Sequence, residues 1–486
     1  MLFTTPFFTL AIFLDMPVAN VSTPEVVTNR RSARRHWLRG TLRHSQQEAL
    51  ASSAMTATSD NFFNAFAIFL QASMSQLGVL TGFPQLFGAL MQFISVSLGN
   101  WFCRKNIIVV GAIVQSIGLL AMSILSIARP ASAVWIFIGL AMFHHGLLNL
   151  IQPHWRAWMG SIVPPRRRGT FFAARTRITM LASLCVFLAG GALLTASNYV
   201  ELAWLGFALL FFLAAIGRMS SAWLFTKMHD PQIHTQTKVS SDTWRRLREA
   251  WQEPVFKQYS LLVASMQAMV AISAPFFAVY MLNELHFSYF EFVLSGVASI
   301  ATQFITLKFW GKFSDKFGNR MVMMITCGMI PVVPLLWLFS GDFVYILVIQ
   351  AISGLCWSGF TLSTTNYLYD IRPHHADFAT YAAMQAGVSA ILVFIGSLFG
   401  GLIASYAELF VQFTGLDNWL NSAIFLVFLA SCCGRFVVFM YFIPRLQEPT
   451  LRQRPLKLDL ILRISRFNAI SGVNLDWLTV SKKTKK

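Results

Sequence analysis

One acidic side chain, Asp60, lies near the middle of a long apolar segment, where an ionisable group is costly unless it is paired or faces water. Ser53, Thr56 and Asn64 fall at spacings of 3 or 4 residues and share its helical face. This pattern predicts a polar face against a water-filled cavity, with Asp60 able to take up a proton when it is shielded from water. The alternative is a structural acid that is hydrogen-bonded to a neighbouring helix.

A second apolar segment carries adjacent histidines, His144 and His145, with Asn149 and Gln152 on the face of His145. Histidine titrates near physiological pH, so either one could relay a proton or bind a substrate. Neighbouring positions on a helix point about 100° apart, so both cannot face one cavity squarely. We predict proton coupling through Asp60 with His144 or His145; a histidine that only bonds a neighbouring helix would explain the pattern equally well.

Neutral hydrogen-bonding groups could complete a substrate cavity. Gln350, Ser353, Trp357 and Thr361 share one helical face, which suits binding by stacking and orientation. Gln267 and Gln385 are isolated in other apolar segments, where ordinary helix packing through polar groups is an equally good explanation. No second histidine or carboxylate pattern indicates a metal, so we expect no metal and no cofactor.

Composition indicates the elements that must position these groups. A soluble domain has about 25% charged residues, whereas this chain has 12% charged and 56% hydrophobic residues. Its apolar runs of about 20 residues predict an integral membrane protein with twelve helices. Nucleotide-binding and hydrolase motifs are missing, which argues against an enzyme and against nucleotide-driven work. The predicted helices, numbered 1 to 12, are residues 48–70, 76–99, 107–128, 133–153, 177–198, 201–224, 258–282, 289–310, 321–340, 343–366, 379–404 and 421–443.

The positive charges predict the orientation. If the loops alternate between sides, all 38 lysines and arginines except Arg129, Arg218 and Arg435 fall on one side. By the positive-inside rule that side, with both termini, is cytoplasmic. The basic surplus then faces anionic lipids rather than nucleic acid. Arg218 and Arg435 lie in the cytoplasmic parts of helices 6 and 12, which we interpret as side chains that reach the lipid headgroups.

The chain repeats itself weakly at about half its length. Residues 162–174 align on 371–383, and residues 66–70 align on 277–281, at offsets of 209 and 211. The repeat predicts two bundles of six helices, with the binding site between them. The predicted parts are a basic cytoplasmic extension (1–45), a first six-helix bundle (46–228), a cytoplasmic linker with a short amphipathic helix (229–256), a second bundle (257–446) and a basic cytoplasmic tail (447–486).

A charged segment between helices 8 and 9 carries the most specific motif. Gly311, Asp315, Lys316, Gly318 and Arg320 lie in the segment Gly-Lys-Phe-Ser-Asp-Lys-Phe-Gly-Asn-Arg, which we expect to form a cytoplasmic hairpin. This motif resembles the loop motif of the major facilitator superfamily, in which a cation is preferred at the place of the asparagine. A degenerate first-half counterpart lies at an offset of 215, with Asn100, Cys103 and Lys105 at the corresponding positions.

The resemblance implies an all-α integral membrane fold of twelve transmembrane helices, in two six-helix bundles related by a pseudo-two-fold axis. It implies a secondary transporter that moves a small solute by alternating access, with a proton or another ion as the coupling partner. We expect a multi-pass protein of the bacterial inner membrane that acts as a monomer, with the loop motif controlling conformational change. The alternative is a transporter-like membrane sensor that binds a small ligand without moving it.

The orientation can be tested with a single cysteine placed at Arg129 or at Lys238 in a parent that lacks the native cysteines. A membrane-impermeant thiol reagent should label the two positions from opposite sides, because Arg129 lies in the predicted outer loops and Lys238 in the predicted linker. Labelling of both positions from the same side would contradict the topology.

Overall fold

The architecture comes from a computed structural model, which describes residues 24–99, 101–163, 168–230, 242–371, 378–415 and 422–447. The described residues are almost entirely helical and contain no strand. Asn100 of the first-half motif, Arg372, most of the basic tail and part of the predicted linker lie outside the described residues.

Within these ranges twelve long helices cross the fold, as the apolar runs predicted, and a short linker helix separates the two sets of six. We label the crossings α1 to α12 and count an interrupted helix once. They are α1 (Pro24–Thr58, a 3-10 turn at Asp60–Phe62, then Phe63–Phe69), α2 (Met74–Leu98), α3 (Arg104–Ala128), α4 (Ala133–Ile162), α5 (Arg168–Tyr199), α6 (Ala203–Lys227), the linker helix (Asp242–Gln252), α7 (Pro254–Val279, then a π-helical turn at Tyr280–Glu284), α8 (Tyr289–Phe317), α9 (Asn319–Met329 and Val332–Leu336), α10 (Phe343–Ile371), α11 (Phe378–Thr414) and α12 (Ile424–Phe442, then a 3-10 turn at Ile443–Arg445).

Most crossings satisfy the physical requirements for spanning a bilayer. Among the described residues, ten helices are long and apolar enough to do so: α3 to α12. The first crossing differs because it is polar along one face and is interrupted at Ser59. Interruptions in membrane helices are tolerated where neighbouring helices satisfy the freed backbone groups.

Several helices run further than the apolar segments that predicted them. α8 continues to Phe317 and α10 to Ile371, because charged residues beyond the membrane are compatible with a helix even though they end the apolar run. The predicted hairpin at Gly311–Arg320 is therefore wrong in its extent. Gly311, Asp315 and Lys316 belong to α8, and the turn is made at Gly318, whose φ of 90° favours glycine.

The first and middle connections also differ from simple extended segments. α1 begins at Pro24 and runs without interruption past residue 45, with Thr41 and Ser45 buried, so the predicted boundary at 45 is not a helix end. The linker contains the predicted short helix, Asp242–Gln252. Just beyond it, the carboxylate of Glu253 accepts a hydrogen bond of 2.8 Å from the hydroxyl of Tyr381 in α11.

The two halves contact each other closely at the end of the molecule that carries the loops after α1 and α7. A Cβ on Gly78 of α2 would collide with backbone of α11, 3.1 Å from the Cα of Gly401. On the opposite flank, a Cβ on Gly191 of α5 would lie 2.8 Å from Val293 of α8. The amide N–H of Phe290 donates a 2.8 Å hydrogen bond across the same interface to the hydroxyl of Thr195. Small residues thus close this end of the molecule.

Candidate functional site

Asp60 stands where α1 is interrupted. Its carboxylate oxygen Oδ1 accepts a hydrogen bond of 3.1 Å from the hydroxyl of Ser59. The 3-10 turn that begins at Asp60 leads directly into the segment Phe63–Phe69, so the acid lies at the start of a helical segment.

The carboxylate of Asp60 pairs with His144 of α4. Oδ1 of Asp60 lies 2.8 Å from Nε2 of His144. The two side chains differ in exposure: 18% for Asp60 and 1% for His144. Any proton exchange with water in this pair must therefore pass through the carboxylate.

Gln115 of α3 determines which nitrogen of His144 carries the proton. Its amide nitrogen donates to the backbone carbonyl of His144 at 3.1 Å and lies 3.2 Å from Nδ1 of the same residue. The backbone carbonyl can only accept, so the amide nitrogen, rather than its oxygen, must face the histidine. Nδ1 then acts as an acceptor, and the single proton of the neutral ring lies on Nε2, the nitrogen that is 2.8 Å from the carboxylate of Asp60.

Aromatic rings shield this pair from the interior of the first half. Phe63 packs edge-on against His144 and His145, with centroid distances of 5.6 and 5.9 Å. Phe137 and Phe211 pack behind Phe63, and both are fully buried. A low-dielectric wall of this kind strengthens the electrostatic interaction between the acid and the imidazole.

The structure places His145 beside the pair rather than in it. Its ring lies 5.6 Å from that of His144 and is only half-buried. Its backbone carbonyl accepts a hydrogen bond of 2.9 Å from the side-chain amide of Asn149. The sequence pattern left the choice between the two histidines open, and tertiary contact joins Asp60 to His144.

Several of the predicted cavity residues make hydrogen bonds within their own helices. The hydroxyls of Ser53 and Thr56 donate to carbonyls in the preceding turn of α1. Asn149 instead joins two helices, because its side-chain oxygen accepts from the amide of Gln92 in α2 at 3.1 Å. Two others bond within their own helices: Gln152 accepts a hydrogen bond from Arg156, and Gln385 donates one to Ser389. The side chains of Asn64 and Gln267 are half-buried, and that of Thr361 is exposed.

A separate cavity of about 220 Å³ lies in the second half. Gln350, Ser353 and Trp357 of α10 line it, so these three predicted residues meet at one place. Trp337, which follows α9, and Arg435 of α12 complete its polar and aromatic lining. The sequence reasoning missed both of these residues as site components.

The interpretation of Arg218 and Arg435 as headgroup-seeking side chains is wrong. Arg218 is only 2% exposed and Arg435 only 3%, so both lie inside the protein. A guanidinium group that packs among helices cannot reach the lipid headgroups. Whether the side chain faces lipid or the interior depends on the rotation of its helix. The sequence did contain an indication of burial, because both arginines are charges at bilayer depth and lie in corresponding helices of the repeat.

Arg218 lies in a charged cluster that the sequence did not reveal. Glu48 of α1 accepts a hydrogen bond of 2.7 Å from Arg175 of α5 and one of 2.9 Å from the hydroxyl of Ser221. Nη1 of Arg218 lies 3.4 Å from the same hydroxyl. Glu48 thereby supplies the negative charge for the arginines in this half.

The loop motif is held by its asparagine. The side-chain amide of Asn319 donates a 2.7 Å hydrogen bond to Oδ2 of Asp370 at the end of α10. Its oxygen accepts from the hydroxyl of Ser314. A cation at position 319 would form an ion pair with Asp370, and the asparagine binds the same carboxylate without adding charge. Asp315 is exposed on the last turns of α8.

Twelve crossings in two closely contacting halves, with polar groups enclosed among them, define a polytopic membrane protein of the transporter type. The family model described as Major Facilitator Superfamily matches residues 49–307 and 260–482. The chain belongs to this superfamily of secondary transporters, and the fold and the transport function implied by the loop motif are confirmed. No functionally curated protein matches the sequence.

Solved transporter structures share the fold. One is a bacterial homolog of the human lysosomal transporter Spinster in an inward-facing, occupied conformation, with 17% identity, a TM-score of 0.63, and coverage of 85% of this chain and 97% of that one. A mutant of the nucleoside transporter NupG has 14% identity, a TM-score of 0.63, and coverage of 83% and 100%. A D-xylose–proton symporter has 12% identity, a TM-score of 0.62, and coverage of 85% and 99%.

Proposed function

We propose that this secondary transporter moves a small solute by coupling it to protons at the Asp60–His144 pair. The observation that carries the proposal is the 2.8 Å contact between a partly exposed carboxylate and a fully buried imidazole. The acid is partly exposed and the base is not, so a proton from water would reach the pair through Asp60. His145, at the next position of α4, is only half-buried and lies beside this pair.

The hydrogen bonding limits the pair to one mobile proton. Gln115 occupies Nδ1 of His144 as a donor, so a second proton on the ring would lose that bond and face an amide N–H. Protonation of Asp60 therefore replaces a charged acceptor by a neutral carboxylic acid, which weakens its attraction to His144. Because Asp60 lies at the interruption of α1, its protonation acts on the 3-10 turn that connects the two segments of that helix.

A proton can drive transport only if it binds the two orientations of the cavity differently. Here the halves are closed at the end with the loops after α1 and α7, through the Gly78–Gly401 and Gly191–Val293 contacts. If the termini are cytoplasmic, the closed end is the outer one. Separation at this end would move α2 and α5 away from α11 and α8, and it would open Asp60 to the other side.

Replacing Asp60 by asparagine removes the exchangeable proton and keeps the size of the side chain. Reconstituted Asp60→Asn protein should fail to accumulate solute under an imposed pH gradient, while exchange without a gradient should persist. The measurement is uptake of a radiolabelled solute, chosen from a metabolite panel by the thermal stabilisation it gives to the purified protein. Proton-driven accumulation at the wild-type level would show that the proton travels elsewhere.

The adjacent histidines provide a matched pair of controls for the same assay. His144→Gln should reproduce the loss of coupling, because it removes the partner of Asp60. His145→Gln makes the identical change one residue away and should retain most proton-driven uptake. If His145→Gln loses proton-driven uptake and His144→Gln retains it, His145 is the residue that couples protons with Asp60.

The loop motif should control the rate of conformational exchange rather than the affinity for solute. The motif lies at the α8–α9 connection, next to Asp370 at one end of α10, whereas the cavity residues of α10 lie in the first half of that helix. Its residues are Gly311, Asp315, Lys316, Gly318 and Arg320. We expect Asp315→Asn to slow transport severalfold while solute binding stays within about twofold of wild type. Lost binding with an unchanged transport cycle would contradict this assignment.

Anionic lipids are the proposed partners at the cytoplasmic end of the bacterial inner membrane, where the chain acts as a monomer. A hollow between α1 and α6 is lined by Arg43, His44, Trp223 and Lys227, a combination that binds phosphate headgroups at an interface. Vesicles with anionic lipid should stabilise the wild type more than Arg43→Gln/Lys227→Gln protein. Equal stabilisation of both proteins would argue against the site.

A further inference from the structure

Arg435 is a buried positive charge for which the described residues provide no carboxylate. Its side chain is 3% exposed and lines the cavity of about 220 Å³ in the second half. Within the part of the chain that the structure describes, no acidic side chain forms an ion pair with it, and its Nε–H has no hydrogen-bond partner. A charge at bilayer depth costs several kcal/mol unless something compensates it, which makes it a candidate for function.

The guanidinium group is held firmly on its other side. Nη2 donates a hydrogen bond of 2.7 Å to the hydroxyl of Ser273 in α7, and Nη1 donates one of 3.3 Å to the carbonyl of Ile330. That carbonyl is available because Pro334, four residues later, has no N–H to donate to it. Ser273 is itself held at 3.1 Å by Ser431. Two neutral acceptors thus orient the group without cancelling its charge.

The first half of the chain shows how this fold compensates the equivalent charge. Arg218 lies 217 residues before Arg435, close to the offset of 215 that relates the loop motifs. Its hydroxyl partner, Ser221, donates to Glu48, so a carboxylate of the protein lies one hydroxyl away. Nε and Nη2 of Arg218 also have no hydrogen-bond partner among the described residues, but the carboxylate of Glu48 is near. Arg435 also has a serine partner, lines a cavity and has no such acid among the described residues. The missing negative charge is therefore expected to come from a ligand.

The lining of the cavity determines what kind of anion fits. Arg435 is the one cation among the described residues that form it, which suits a single negative charge rather than a phosphate group. Gln350 and Ser353 add neutral hydrogen-bonding groups, while Trp337 and Trp357 offer flat aromatic surfaces. The volume is below the roughly 300–1,000 Å³ of typical ligand sites, so the ligand must be small.

We infer that this cavity binds a small monocarboxylate with a flat apolar body, and that Arg435 pairs with its carboxylate. The carboxylate accepts from the free Nε–H and the cavity-facing side of the guanidinium, and the apolar body packs against the indoles. This inference rests on the proposed function in one respect: it makes such organic acids the substrate class. Binding itself requires neither a proton gradient nor turnover.

The test uses benzoate as the probe and benzamide as its neutral isostere, with the purified full-length chain in detergent. Benzoate at millimolar concentration should raise the temperature of unfolding, because a ligand of the native state stabilises it, and benzamide should not. Arg435→Gln should weaken benzoate binding by at least about 30-fold. Arg218→Gln removes an equally buried arginine in the other half and should leave benzoate binding unchanged.

Three results would overturn the inference: no stabilisation by benzoate, equal stabilisation by benzamide, or retained benzoate binding in Arg435→Gln. If Arg435→Gln does not fold, the benzoate–benzamide comparison on the wild type and on Trp357→Ala decides, since loss of the indole should also weaken binding. Asp60→Asn should still bind benzoate. If Asp60→Asn protein still accumulates solute under a pH gradient, the proposed function is contradicted and this inference is not. If the protein does not prefer benzoate to benzamide, this inference is contradicted and the proposed function is not.

Discussion

The contact between Asp60 and His144 depends on an interruption in the first helix. A regular helix would continue past Ser59, whereas here the first segment of α1 ends at Thr58 and a 3-10 turn at Asp60–Phe62 leads into the second segment. The interruption places a carboxylate at the start of a helical segment, beside α3 and α4. Gln115 then fixes the proton of His144, and Phe63 shields both histidines. A membrane protein can keep an acid at this depth because Ser59 and His144 compensate part of its cost.

A second interruption, in α9, has a different origin, because it contains a proline. Pro334 cannot donate a hydrogen bond to the carbonyl of Ile330, and Arg435 does so instead. The carbonyl freed by one helix thus becomes the anchor for a cation from another. In both halves a charged side chain at bilayer depth depends on irregular backbone or on a neighbouring helix, which is the condition under which such irregularity is tolerated in a membrane.

The two halves of the repeat have diverged in how they treat the same kind of charge. The first half places Glu48 among its buried arginines: Glu48 contacts Arg175 directly and reaches Arg218 through the hydroxyl of Ser221. The second half leaves Arg435 facing a cavity. The first half also carries the Asp60–His144 pair, whereas the second offers neutral hydrogen-bonding groups and indoles. In the function proposed above, proton chemistry lies in the first half and solute recognition in the second, so the relative movement of the halves links them.

The sequence by itself determined the class of fold, the number of crossings, the loop motif and the residues that needed explanation. Hydropathy and charge act along the chain, so they can be read without coordinates. The ends of α8 and α10 could not, because an apolar run marks the membrane and not the end of the helix. Only the tertiary structure chose His144 over His145, brought Gln115 and Glu48 to their partners, and turned Arg435 inwards. Those outcomes depend on the rotation and packing of helices that are distant in sequence, and a change of about 100° in rotation exchanges a lipid-facing side chain for a buried one.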